Sequence, residues 1–172
     1  MAIIAPSRDV AVDAAAARSE ADAVIVAMVT LTGLVTQAGS WPAGDRHAML
    51  ARLDRAVDGL SAVRAAVLVA ERDAGTWQGA GDRSLEAWRG RTGRAGQRAA
   101  AAQVRQAEHL AAVPAVAQAV TDGRIGLGHA AVIGQVAVTG TPAQQAAVSS
   151  PEAQAELVEL AQELDEPVKF SV

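Results

Sequence analysis

The chain has 172 residues and no cysteine, which is enough length for about one domain with its own core and excludes disulfides, thiolate metal sites, iron–sulfur clusters and a cysteine nucleophile. Hydrophobic residues make up 51% but aromatics only 2%, so the apolar content is Ala, Val and Leu and the composition predicts an all-α protein with close helix contacts. The net charge of −4 excludes a globally basic nucleic-acid binder and confines any such role to a local patch.

From Asp9 to about Gln37, Val24, Met28, Leu31 and Val35 recur at gaps of four and three, the spacing of one helical face. The apolar stretch Ala23 to Val35 is shorter than the ~20 residues of a membrane span and reads as a buried helix segment. Arg8 alone precedes Asp9 and Asp13, which is no signal-peptide pattern, so a cytoplasmic protein without a membrane is expected. Gly39, Ser40, Pro42 and Gly44 break the run. Asp45 is the expected N-cap of a second helix, with Leu50, Leu53, Val57, Leu60, Val63 and Val67 as its core stripe and Gly75 as its stop. Together these two helices predict a long antiparallel hairpin over residues 1–75. Its other face, with Arg52, Arg55, Asp58 and Arg64, reads as a solvated surface; the alternative is a dimerising arm, giving a homodimer through the hairpin.

Thr76 to Arg83 is glycine-rich and reads as a loop, after which Ser84 caps a short helix through Leu85 and Trp88 that breaks at Thr92-Gly93. A longer helix from about Ala95 to Ala112 sets Ala100, Val104, Ala107 and Ala111 on one side and Arg94, Arg98 and Arg105 on the other. Short helix, glycine turn and longer helix with an arginine face is the layout of a helix-turn-helix. Pro114 opens the next helix and Gly123 stops it; Gly126 and Gly128 lead into another around His129 to Val138. A polar linker, Thr139 to Ser150, precedes a last helix opened by Ser149 or Ser150, Pro151 and Glu152 and closed before Pro167. Leu157, Leu160, Ala161 and Leu164 form its apolar face, and Glu152, Glu156, Glu159 and Glu163 an acidic one. Residues 76–172 thus read as a helix-turn-helix-like region continuous with the hairpin in one domain.

Charge is segregated. Six arginines between Asp82 and Glu108 face three acids, a local surplus of +3 that leaves −7 for the remainder. Arginine near the start of a recognition helix can chelate guanine O6 and N7, glutamine can address adenine, and neighbouring arginines can hold phosphates. The candidate DNA-facing residues are therefore Arg94, Gln97, Arg98 and Arg105, with Arg89 and Arg91 on phosphates. A solvated helix face with intrahelical pairing is the competing reading of the same arginines.

No catalytic set emerges. His47, His109 and His129 lie in different helices without metal-ligand spacing, Ser84 lacks a nucleophile elbow, and Gly75 to Gly81 contains no phosphate-loop Lys-Ser/Thr. Trp41, Trp77 and Trp88 sit beside turns and read as core anchors. No metal and no small-molecule cofactor is expected. Asparagine and tyrosine are also missing, which removes the middle residue of an HNH nuclease motif and a tyrosine nucleophile.

Ser84-Leu85-Glu86-Ala87-Trp88, Arg91-Thr92-Gly93, Leu110 to Pro114, and Asp122-Gly123-Arg124-Ile125 through His129-Ala130 occur in that order. This set resembles the domain of unknown function 222 family, over about Leu50 to Leu164. Val113 to Val132 is also similar to the segment after the helix-turn-helix in ParB/KorB-type partition proteins. The family departs at Arg89, where a Leu is usual, and at Arg94-Ala95-Gly96, which replaces a Leu-Ser helix start and costs an N-cap. The resemblance implies a bacterial protein of high-GC Gram-positives whose relatives place this region ahead of an HNH endonuclease domain, itself absent from this sequence. The expectation is a non-catalytic module, short or truncated, that binds duplex DNA; the alternative is a helical dimerisation or protein-interaction domain without DNA binding.

Overall fold

The computed structural model describes residues 8–164 and divides the chain into two compact units, Met1–Leu50 and Ala51–Val172. The described residues are helical with no strand, as the alanine-rich composition predicts. In the first unit, α1 (Arg8–Leu34) runs into a 3-10 segment, Val35–Ser40, and the chain turns extended at Trp41 ahead of Pro42.

The expectation of a buried segment at Ala23 to Val35 is overturned. Val24, Leu31 and Val35 are half-buried, and the rest of the stretch, including Ile25, Val26, Met28 and Val29, is exposed. The helical run Asp13–Ser40 is long and apolar enough to cross a membrane by length and composition. The run is longer than the apolar stretch because the helix continues past Ala23 and Val35 at both ends, and inside the stretch the helix is unbroken at Thr30 and Thr32. Their hydroxyls donate back to the Val26 and Met28 carbonyls at 3.1 and 2.9 Å.

The helix α2 (Ala43–Ala74) begins two residues ahead of its expected cap, because the Pro42 carbonyl accepts the Asp45 and Arg46 N–H groups. Asp45 lies in the first turn, where its charge suits the helix N-terminus. Gly75 ends the helix in the left-handed conformation at φ 66°.

In the second unit the face of α2 that packs inward differs from the one expected. Ser61, Ala62, Ala65 and Leu68 are buried, whereas Leu53, Val57, Leu60, Val63 and Val67 of the expected stripe are exposed, as is Leu50 in the first unit. Small residues let helices approach closely, so the serine and alanine face enters the core and the bulkier row stays outside. Asp58 and Arg64, read as solvated, are half-buried. The Asp58 carboxylate accepts the Leu127 N–H at 2.9 Å, and an Arg64 guanidinium N–H donates to the Ser61 hydroxyl at 3.4 Å.

The remaining helices are α3 (Leu85–Thr92), α4 (Gly96–Ala111), α5 (Pro114–Thr121), α6 (Leu127–Thr139), α7 (Pro142–Ala147) and α8 (Pro151–Gln162). A 3-10 segment, Thr76–Ala80, occupies part of the expected loop. Pro114 opens α5, and Gly123 follows it at φ 69°. The linker expected over Thr139 to Ser150 contains α7, opened by a reciprocal cap between Thr141 and Gln144. Ser150 caps α8, which ends at Gln162; Pro167 lies outside the described residues.

The core joins Ala62, Ala65 and Leu68 of α2 to Ala107 and Leu110 of α4, Val116, Ala119 and Val120 of α5, Ala130 and Ile133 of α6, and Val158 and Ala161 of α8. On α4, Leu110 takes the buried place expected of Ala111, which is exposed. On α8 the buried row is Gln154, Val158 and Ala161; Leu157 and Leu164 are half-buried and Leu160 is exposed. The three glutamates of α8, Glu152, Glu156 and Glu159, and Glu163 directly after it are exposed as expected.

Candidate nucleic-acid interface

Ser84 starts α3 with an extended backbone, and its hydroxyl accepts the Ala87 N–H at 3.2 Å. The helix ends at Thr92, and three residues, Gly93, Arg94 and Ala95, carry the chain into α4. The two helices approach each other at Gly90, where a Cβ would meet the Gly96 carbonyl carbon at 3.5 Å and the Ala100 Cβ at 3.6 Å. The turn is tight enough to hold Arg94 at φ 52°, a left-handed conformation that costs a non-glycine residue free energy.

Ala95 precedes α4 and offers no side-chain cap, as the loss of the Leu-Ser start predicts. Its first N–H groups therefore lack an intrahelical or side-chain acceptor. Around this end Arg94, Gln97 and Arg98 are exposed, and among the described residues their side chains make no hydrogen bond or ion pair. Arg105, two turns further along α4, is exposed on the same helix. Its charge, after hydrogen bonds from the Ser84 hydroxyl and the backbone N–H of Glu86 itself, helps hold the Glu86 carboxyl below its ordinary range.

The two arginines of α3 are differently placed. The half-buried Arg89 donates from Nε to the Gln103 side-chain oxygen of α4 at 2.8 Å, and its guanidinium lies against Gly93, where a Cβ would come within 2.6 Å. Arg91 grips Asp82 with both ends of its fork, Nε to Oδ1 at 3.2 Å and a terminal nitrogen to Oδ2 at 2.5 Å. This hydrogen-bonded pair lowers the Asp82 carboxyl and raises the Arg91 guanidinium from their ordinary values. Arg64 is lowered, first by burial and then by the charge of Arg89. The structure thus brings Arg94, Gln97 and Arg98 together at one open helix end, and ties Arg89 and Arg91 to neighbours within the fold.

Sequence spacing carries no signal for Gln103 and Asp82, because their roles depend on partners 14 and nine residues away. The three histidines remain apart: His47 is exposed, His109 half-buried and His129 buried, with its Nε2 lacking a partner. Trp41, Trp77 and Trp88 are half-buried, and Trp88 packs on the core. Among the described residues no group of three or more His, Cys, Asp or Glu is placed to hold a metal ion. A cleft beside Arg105, lined with Gln106, His109, Leu127 and Ala131, measures about 170 Å³, below the usual size of a small-molecule site. No family model matches the chain, and neither a curated protein nor a solved structure is found to match it.

Proposed function

We propose that this chain is a non-catalytic module that binds duplex DNA, with α4 as the helix presented to the major groove. The observation that carries the reading is the unengaged cluster of Arg94, Gln97 and Arg98 at the uncapped start of α4, directly after a three-residue turn. An open helix start favours an anion, and arginine and glutamine at that position suit base edges and phosphates. Arg105 adds a further cation along the same helix. Arg89 and Arg91 enter the proposal as the next row: Arg91 reaches a phosphate by exchanging its Asp82 partner for it, and Arg89 sets the α3–α4 turn through Gln103.

The ordered motifs from Ser84 to Ala130, similar to those of the domain of unknown function 222 family, support the same reading. A working association with an HNH endonuclease domain, and a cytoplasmic place of action, are parts of this proposal. The test is titration of the full chain against a labelled random-sequence duplex: binding that weakens as salt rises supports the module, and no binding at low salt overturns it.

A further inference from the structure

The second half of α1 has no polar face. Leu34, Leu31, Met28, Ile25, Val29 and Val26 follow one another round the helix at about 100° per residue, with no gap wider than about 80°. Five of the six keep 49–70% of their surface exposed, and no residue of the long apolar run is buried. The core of the described residues is built entirely from later helices. A helix that docks on a water-soluble fold presents one apolar stripe, as α4 does; one that is apolar all round is a core helix of a large protein or a membrane span. With nothing of it buried, the span remains.

Length, polar groups and flanking charge all fit lipid. From residue 23 to residue 44 the chain carries no charged side chain. Residues 23–34 in α-helix and Val35–Ser40 in the 3-10 segment reach about 30 Å, at about 1.5 and 2.0 Å per residue, which is the thickness of a bilayer's hydrocarbon core. Lipid offers no hydrogen-bond partner, so polar groups inside it must be satisfied by the chain itself. The four hydroxyls of the stretch meet that condition: Thr30, Thr32, Thr36 and Ser40 donate to the Val26, Met28, Gly33 and Gln37 carbonyls at 2.8–3.1 Å. Trp41, the first aromatic residue of the chain, follows at the end, where an indole suits the membrane–water boundary. Just beyond it the Arg46 guanidinium donates to the Trp41 carbonyl. Arginine is biased towards the cytoplasmic flank of a span. Within about 20 residues of the uncharged run, Arg8 and Arg18 precede it, and Arg46, Arg52, Arg55 and Arg64 follow it.

We infer that α1 crosses a phospholipid bilayer through residues 23–40, with Ser19, Glu20 and Asp22 on the outer side and the chain from Trp41 onward on the cytoplasmic side. This replaces the expectation of a protein without a membrane, and it keeps the arginines of α3 and α4 on the side where duplex DNA lies. The inference does not rest on the DNA reading, since nothing in its test contains DNA.

Expression of the full chain in a bacterial host, followed by an alkaline carbonate wash of the membranes and flotation on a density gradient, tests it. The expected result is an uncleaved chain of 17.5 kDa that resists the wash and floats with the lipid. Val26→Asp/Val29→Asp places two carboxylates in the hydrocarbon and is expected to lower the floating share at least about ten-fold, while Val26→Leu/Val29→Leu floats like the parent. Both positions are exposed, so neither variant disturbs internal packing. The absence of cysteine allows the orientation to be read as well. In spheroplasts a membrane-impermeant maleimide should label Ser19→Cys and should reach Ser149→Cys only after lysis; both serines are exposed. A chain recovered in the soluble fraction or stripped by carbonate, a product shortened by cleavage of the apolar segment, a double Asp variant that floats like the parent, or labelling of Ser149→Cys in intact spheroplasts overturns the inference.

Discussion

Gly134 of α6 faces the His109 backbone of α4 so closely that an added Cβ would lie 2.7 Å from the His109 carbonyl oxygen and 2.8 Å from its Cβ. The α4–α6 crossing therefore depends on a missing side chain. Because α4 carries Gln97, Arg98 and Arg105 and follows directly on the turn that holds Arg94, this contact also sets how the proposed DNA-facing helix is held. Gly134→Ala is expected to destabilise the protein by about 1–3 kcal/mol, because the clash is with backbone and outweighs the ~0.5–1 kcal/mol that alanine gains inside a helix. Gly33→Ala in α1, where a Cβ meets nothing within 4 Å, is the control expected to leave stability unchanged or higher. Urea midpoints of the two variants check both statements; equal midpoints would show that the crossing is not held by Gly134.

Gln154 is the buried polar clamp of the second unit. Its side-chain oxygen accepts the Ala115 N–H at the start of α5 at 3.1 Å, and its Nε2 donates to the Val148 carbonyl at 3.2 Å. Gln154→Leu keeps most of the volume but strands both backbone groups, each at a cost of about 1–3 kcal/mol when buried. The expected result is a lower urea midpoint with an unchanged slope. A variant as stable as the parent would mean that water or a local shift satisfies both groups.

Asp58 caps a helix 69 residues away. The start of α6 has no side-chain cap of its own, and the Asp58 carboxylate accepts its Leu127 N–H. Asp58→Ala is expected to cost about 1 kcal/mol, and Asp58→Asn, which retains an acceptor, much less. Amide hydrogen exchange at Leu127, compared among the three proteins, reads the cap directly, and equal protection in Asp58→Ala contradicts it.

The Asp82–Arg91 pair ties stability to acid pH. The Asp82 carboxyl is depressed in the folded chain by its hydrogen bonds from Arg91 and by the Arg91 charge. A depressed acid favours the folded state fully above its unfolded value near ~4, and that contribution disappears as pH falls through the lower folded value. Glu86 adds to the same acid-side loss. Unfolding followed from pH 6 to pH 2.5 should show a shallower acid-side decline in Asp82→Asn than in the parent, with the two converging at the lowest pH. Parallel profiles would mean that the pair contributes nothing to stability.

Much of the fold was legible where local chemistry dictates it. Ser84 and Ser150 as caps, Pro114 as a helix start, and Gly75 and Gly123 at positive φ follow from backbone rules that act within a few residues. Ala100, Val104 and Ala107 were readable because α4 has a single apolar side. The face of α2 was not, since spacing finds a hydrophobic row without saying which of two faces is covered, and Ser61, Ala62 and Ala65 carry little hydropathy signal. Thr141-Pro142-Ala143-Gln144 did carry a readable cap signal for α7, but its polar surroundings masked it. At the candidate site, the open start of α4 was legible from the missing Ser or Thr before Gly96. The engagement of Arg89 by Gln103 and of Arg91 by Asp82 was not, because composition and spacing do not report partners brought together by folding.

The proposed meeting of the start of α4 with duplex DNA is tested most directly by fluorescence anisotropy of a random-sequence duplex titrated at several salt concentrations with the parent chain and with Arg94→Ala/Arg98→Ala. The predicted result is salt-sensitive binding by the parent, with a log–log salt slope that falls by up to ~2 units in the double variant, at about 0.9 per lost phosphate contact. Absence of binding by the parent at low salt, or an identical slope in the double variant, would contradict it.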